Sequence, residues 1–349
     1  MVFINSLLFI AGLFLLVKGS DFFVKSAASI AKKSGVSDFV IGLTIVAVGT
    51  SIPELVSSII ASIKQQSGIV IGNIVGSNIA NIGLIVGITA VIGVVKTKKE
   101  MLKRDGYIML FASIIFLLLI LDNSISRGEA IVFLLFYVSY MFFLSEYRPK
   151  FGEGYRFRDF LRYSYRFQYL LTIRSRIIAG IKGTRTEKYR MRELFTLSLI
   201  KDFLILIVSG VVLVIGANYL VNSAIFFASF FKIPQTLIGI SLVAVGTSLP
   251  ELSVSLSAAR KGYGNIVLGN ILGSNIANIL LVLGISAFVF PLQIIKSTLY
   301  FTAPFMIFMN ILLLIFIKSE WQIRQTEGAV FLFFYGLFMA ILFFSGIAF

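Results

Sequence analysis

Cysteine and histidine are both absent from this 349-residue chain. The first absence excludes disulfides and thiolate metal centres. The second removes the usual imidazole ligand and the side chain that titrates nearest neutral pH. Any cation site must therefore be built from oxygen. Charge is also scarce: 13% of residues are Asp, Glu, Lys or Arg, against about 25% in a typical soluble domain. Acidic residues are scarcest, 16 against 31 basic ones, which leaves a formal net charge of +15. Hydrophobic residues make up 58% of the chain and its mean hydropathy is +0.97. Apolar runs of about 20 residues, the length that crosses a bilayer, recur from end to end. The chain is predicted to be almost all membrane domain. No cleavable signal peptide is expected, because the first apolar run leads directly into repeated sequence. In this setting the positive charge marks cytoplasmic loops rather than nucleic-acid binding.

What is present is written twice. Gly49-Thr50-Ser51-Ile52-Pro53-Glu54-Leu55 returns 197 positions later as Gly246-Thr247-Ser248-Leu249-Pro250-Glu251-Leu252. At the same offset, Gly72-Asn73-Ile74-Val75-Gly76-Ser77-Asn78-Ile79-Ala80-Asn81 returns as Gly269-Asn270-Ile271-Leu272-Gly273-Ser274-Asn275-Ile276-Ala277-Asn278. A weaker echo sets Gly19-Ser20-Asp21-Phe22 opposite Gly216-Ala217-Asn218-Tyr219. A carboxylate at the centre of a spanning helix costs roughly 2.5 kcal/mol or more, so it persists there mainly when it has a task. Two such carboxylates in matched positions point to one shared polar site at membrane depth.

Ten spans are expected, near 2–30, 38–63, 68–95, 105–122, 128–145, 197–229, 235–259, 265–290, 298–317 and 328–347. The predicted fold is an all-α polytopic membrane protein of ten transmembrane helices in two inverted five-helix repeats. Residues 1–145 form one half, 146–196 a basic cytoplasmic loop, and 197–349 the other half. Five is odd, so the second copy enters the membrane upside down, an arrangement used by transporters that open alternately to each side. With both termini outside, the inward loops hold Lys32, Lys33, Lys96, Lys98, Lys99, Lys103, Arg104, Arg260, Lys261, Lys318 and Arg324. The outward loops then hold isolated charges such as Lys64, Arg127, Lys232 and Lys296. That asymmetry sets the orientation and places the chain in the cell membrane as a multi-pass protein.

Pro53 and Pro250 have no N–H to give the carbonyls of Gly49 and Gly246, which predicts kinks inside two helices. Thr50 and Glu54, Ala47 and Thr50, and Ser77 and Asn81 each share a helix face. Ala244, Thr247, Glu251, Ser274 and Asn278 repeat the pattern. Carboxylate, hydroxyl, amide and backbone oxygens suit a hard cation such as Ca²⁺ or Na⁺. Ser57, Ser58, Asn73 and Asn78 fit ligation and helix–helix hydrogen bonding equally. Gly72, Gly76 and Ala80, with Gly269, Gly273 and Ala277, make rows of small residues that let helices approach closely.

The doubled Gly-Thr-Ser-x-Pro-Glu and Gly-Asn-x-x-Gly-Ser-Asn-x-x-Asn motifs resemble the paired alpha-repeats of the cation/calcium antiporter superfamily, and within it the prokaryotic sodium/calcium exchangers. The resemblance covers essentially all ten spans. It implies Na⁺/Ca²⁺ antiport by alternating access, with Ca²⁺ and Na⁺ as transported substrates, no cofactor and no enzymatic activity. It implies ion-binding roles for Ala47, Thr50, Ser51, Glu54, Ser77 and Asn81, and for Ala244, Thr247, Ser248, Glu251, Ser274 and Asn278, the two alanines acting through their carbonyls. Relatives often carry Asp where this chain has Asn278. An amide there leaves two carboxylates and argues against K⁺ co-transport. The Pro of the motif favours Na⁺ over H⁺ as counter-ion. Antiport of Ca²⁺ or another divalent cation against H⁺ is the alternative, with a cation channel and an intramembrane enzyme behind it.

Between the halves, Arg156, Phe157, Arg158, Phe160, Leu161, Arg162, Tyr165, Arg166 and Phe167 interleave basic and aromatic residues. Beside a bilayer this pattern reads as a helix over 156–178 lying on the anionic inner leaflet, not as a nucleic-acid site. The chain is expected to work as a monomer.

Overall fold

The computed structural model describes residues 1–33, 51–97, 99–146, 157–170, 197–260, 262 and 264–344. The expected site residues Ala47 and Thr50, most of the 146–196 loop and the first part of the 38–63 span lie outside them. Among the described residues, eight helices are long and apolar enough to cross a membrane, and nine if the bent pair Gln235–Thr247 and Leu249–Arg260 counts as one span. The chain is a multi-pass membrane protein.

Helix α1 (Val2–Lys33) leads to α2 (Ile52–Ile63), which carries Glu54, and then to α3 (Ser67–Ala80). Helix α3 continues through wide π-helical turns at Asn81–Val86 into α4 (Gly87–Ile92). Helices α5 (Tyr107–Leu119), α6 (Arg127–Glu146) and the short α7 (Phe157–Tyr165) follow. The second half opens with α8 (Leu197–Phe231) and α9 (Gln235–Ile238). Helix α9 passes through π turns at Gly239–Val243 into α10 (Ala244–Thr247). Helix α11 (Leu249–Arg260) carries Glu251. Helix α12 (Gly264–Ala277) runs through π turns at Asn278–Val282 into α13 (Leu283–Val289), and α14 (Ala303–Glu320) and α15 (Gln325–Phe344) close the chain.

The two motif spans are central. Within an 18-residue apolar stretch of each span, burial covers 83% in Ser67–Ile92 and 78% in Ile266–Val289, against 17% in Val2–Phe23 and 22% in Gln325–Phe344. Polar motif residues thus face protein while the outer helices present Phe, Leu and Ile outward, as a bilayer requires. Glycine makes the central packing possible. A Cβ on Gly72 would lie 2.5 Å from the Thr236 carbonyl oxygen, and one on Gly76 2.7 Å from Ile240 Cα. This brings α3 against α9–α10 backbone to backbone, the role expected for that small-residue row.

Two antiparallel two-residue ladders tie the halves together. Strand β1 (Val95–Lys96) pairs with β4 (Gln322–Ile323), and β2 (Ser124–Ile125) pairs with β3 (Leu292–Gln293). Strand β1 precedes and β2 follows the span Leu102–Asp122, so the ladders sit at opposite ends of it.

Helix α7 is amphipathic, as its sequence predicts, but its apolar face meets protein. Phe160 is buried edge-on against Tyr140 and Phe143 of α6, Tyr163 is buried, and Ser164 Oγ lies 2.6 Å from Ser139 Oγ. Of the aromatic residues expected in the leaflet, Phe160 is thus covered by protein, whereas Tyr165 and Phe167 are exposed. Arg158, Arg162 and Arg166, four residues apart, are also exposed.

Candidate ion-binding site

The site begins at the starts of two helices. Ser51 (φ −86°, ψ 9°) and Ser248 (φ −83°, ψ 8°) leave helical geometry, and α2 and α11 start immediately after them. Pro53 and Pro250 therefore stand in first turns, where a missing N–H costs no hydrogen bond, rather than in helix interiors as expected. The bend between α10 and α11 is 42°. Glu54 and Glu251 each stand in the first turn of a helix, beside its positive end.

Both carboxylates are fully buried, and each receives a hydroxyl from the opposite half. Ser248 Oγ donates to Glu54 Oε1 at 3.0 Å, and Ser51 Oγ to Glu251 Oε1 at 3.5 Å. Ser274 Oγ also donates to Glu251 Oε1 at 3.3 Å. The Ala244 carbonyl accepts Ser77 Oγ at 3.4 Å and Thr247 Oγ1 at 3.3 Å, so the backbone oxygen of the broken segment stands among the same side chains. Asn81 and Asn278, one turn beyond Ser77 and Ser274, each open a π-helical stretch, a distortion frequent at functional sites.

Of the twelve expected residues, the structure gathers Ser51, Glu54, Ser77, Ala244, Thr247, Ser248, Glu251 and Ser274 through these contacts. Asn81 and Asn278 donate instead to Asn275 and Asn78 of the opposite half. Three buried acceptors, Glu54 Oε2, Asn81 Oδ1 and Asn278 Oδ1, have no hydrogen-bond partner among the described residues. Acceptor oxygens left without donors at membrane depth are costly and suit a transported cation. Among the described residues no group of three or more acidic side chains gathers; the buried carboxylates here are Glu54 and Glu251.

Asn73 belongs to the scaffold. Its Nδ2 donates to Ser58 Oγ at 2.9 Å and Ser57 Oγ at 3.3 Å, while its Oδ1 accepts Thr247 Oγ1 at 3.0 Å. Asn270 repeats the inner contact, donating to Ser255 Oγ at 3.2 Å. The latch from Asn73 to Thr247 has no sequence signal, because it depends on where helices of opposite halves cross.

The chain matches the family described as "Sodium/calcium exchanger protein" over residues 4–145 and 201–344. It belongs to the sodium/calcium exchanger family. Among exchanger relatives it is 50% identical to "Sodium/calcium exchanger MaX1" of Methanosarcina acetivorans, covering 99% of this chain and 100% of that one. It is 33% identical to the membrane protein MJ0091 of Methanocaldococcus jannaschii over 96% of each chain. A solved structure of the sodium-calcium exchanger NCX_Mj, soaked with 100 mM Na⁺ and 10 mM Sr²⁺, superposes with a TM-score of 0.60 at 32% identity, over 98% of this chain and 99% of that one. Membership makes the chain a membrane transporter rather than an enzyme, and the exchanger family is the one its motifs resemble.

Proposed function

We propose that this exchanger carries Ca²⁺ in one direction and Na⁺ in the other, by alternating access to one site between two inverted halves. The observation that carries the proposal is the pair Glu54 and Glu251, buried, reciprocally hydrogen-bonded across the halves and surrounded by oxygen donors. Two carboxylates balance one Ca²⁺, and Na⁺ ions that occupy the same oxygens compete with it. Competition for common ligands couples the two fluxes. The proposed ligand set is Ala47, Thr50, Ser51, Glu54, Ser77 and Asn81 with Ala244, Thr247, Ser248, Glu251, Ser274 and Asn278.

The halves are 1–145 and 197–349, five membrane helices each, joined by the basic segment 146–196 on the cytoplasmic side, with both termini outside. The strand ladders support this arrangement. One joins the Lys96 and Arg324 loops, which the charge rule places inside, and the other joins the Ser124 and Gln293 loops, which it places outside. The exposed row Arg158, Arg162 and Arg166 fits anionic headgroups of the inner leaflet.

The test is ⁴⁵Ca²⁺ uptake into vesicles under an imposed Na⁺ or H⁺ gradient. Uptake driven by outward Na⁺ is the expected result; uptake driven by a pH gradient alone would assign H⁺ as the counter-ion instead.

Topology is tested separately, and the absence of native cysteine makes this direct. A single thiol at Lys99 is expected to label only from the cytoplasm, and one at Lys64 or Lys296 only from outside. Labelling of the Lys64 and Lys99 positions from one face would defeat the inversion.

A further inference from the structure

Four asparagines form a closed relay between the halves. Asn78 Nδ2 donates to the Asn275 carbonyl at 3.4 Å, and Asn275 Nδ2 donates to the Asn78 carbonyl at 3.3 Å. Each also donates to a methionine sulfur, Met306 at 3.5 Å and Met109 at 3.7 Å. A backbone carbonyl cannot donate, so neither amide can turn over without setting oxygen against oxygen. That fixes both Oδ1 atoms as acceptors. Asn81 Nδ2 then donates to Asn275 Oδ1 at 2.9 Å, and Asn278 Nδ2 to Asn78 Oδ1 at 3.0 Å. With their NH₂ groups so engaged, Asn81 and Asn278 are left presenting Oδ1, the two buried acceptors that have no partner among the described residues.

We propose that Asn78 and Asn275 are positioning residues of the ion site, each holding the ligand amide of the other half with its carbonyl oxygen, not its NH₂, toward the cation. An amide turned the other way would direct N–H dipoles at a positive ion. The inference rests on Asn81 and Asn278 being ligands. It adds that orientation is inherited: backbone carbonyl fixes Asn275, and Asn275 fixes Asn81, with the mirror chain through Asn78 to Asn278. Because each link crosses between halves, the geometry of one half's ligand depends on the other.

A double-mutant cycle separates positioning from general support. The probe is Ca²⁺ alone, titrated against the unfolding temperature of purified protein, since a ligand that binds the folded state raises it. Asn275→Ala is expected to weaken Ca²⁺ about 10-fold or more, the usual cost of losing an outer partner of a metal ligand. In the Asn81→Ala background the same change should add little, because the amide it orients is gone. The reciprocal cycle, Asn78→Ala with Asn278→Ala, reads the mirror chain independently if the first variant fails to fold. Additive losses in the cycle, or unchanged Ca²⁺ affinity in the folded Asn275→Ala protein, would overturn the positioning role. Unchanged affinity in both Asn81→Ala and Asn278→Ala would instead overturn the ligand assignment beneath it.

Discussion

Replacing Glu54 or Glu251 by Gln is expected to abolish Ca²⁺ exchange while leaving the protein folded. Gln keeps the volume of Glu and retains an oxygen, so Ser248 can still donate to position 54, and Ser51 and Ser274 to position 251. What disappears is one of the two negative charges that balance a desolvated divalent ion. Removing one partner of a buried ion pair costs about 3–5 kcal/mol, more than 100-fold in occupancy. The two losses should be of similar size, since the sites are near copies: each Glu opens a helix after a broken Ser, and each is fully buried. Vesicle ⁴⁵Ca²⁺ flux measures the effect, and gel filtration of the purified variants confirms that the protein remains intact. Near-normal exchange by both single variants would remove the carboxylate pair from the mechanism.

The carboxylate pair was legible in the sequence because packing offers no reason for it. An apolar helix gains nothing from an embedded Glu, and a second Glu at a constant offset makes accident untenable. The motif serines and asparagines were legible as a group by the same repetition, but their division of labour was not. Asn73 and Asn78 have the same composition and a similar setting in one helix, yet one braces Ser58 and Thr247 while the other holds Asn278. Which of these a side chain does depends on helix crossing, and crossing is a tertiary fact. Met109 and Met306 gave no signal, since a thioether in an apolar run reads as core, and their weak acceptor role follows only from the asparagines that reach them. The prolines misled by one turn. An unbroken apolar run implies an unbroken helix, whereas the backbone breaks at Ser248, and new helices begin at Ile52 and Leu249 around the prolines. Helix α7 shows the same limit. Periodicity established that it has an apolar face, but protein and lipid are equally apolar, and it took Tyr140 and Phe143 to show which one covers Phe160.

Na⁺-driven Ca²⁺ flux is expected to run equally with and without K⁺, and Asn278 is the reason. With an amide at this position the site has two carboxylates, so bound Ca²⁺ leaves it close to neutral and no additional cation is needed to balance a third acid. Asn278→Asp changes that balance, and the surrounding hydrogen bonds predict how. Asn278 Nδ2 donates to Asn78 Oδ1, whose own Nδ2 is committed to the Asn275 carbonyl and Met306. An ionised carboxylate there would face that oxygen acceptor to acceptor, in a buried setting, as a third acid beside the buried Glu54 and Glu251 of the proposed site. Two states relieve the clash: a protonated carboxyl whose O–H replaces the amide's donation, or an ionised one neutralised by a bound cation. Like charges this close do not all remain ionised without such compensation. The variant should therefore gain a pH dependence of flux, with protons competing against cations as the medium is acidified, and a tighter hold on cations at alkaline pH. The comparison is Na⁺-dependent ⁴⁵Ca²⁺ flux across a pH series, with and without K⁺, in both proteins. A strict K⁺ requirement in the native exchanger would show that Asn278 does not set the charge of the site. An unchanged pH profile in the variant would place residue 278 outside it.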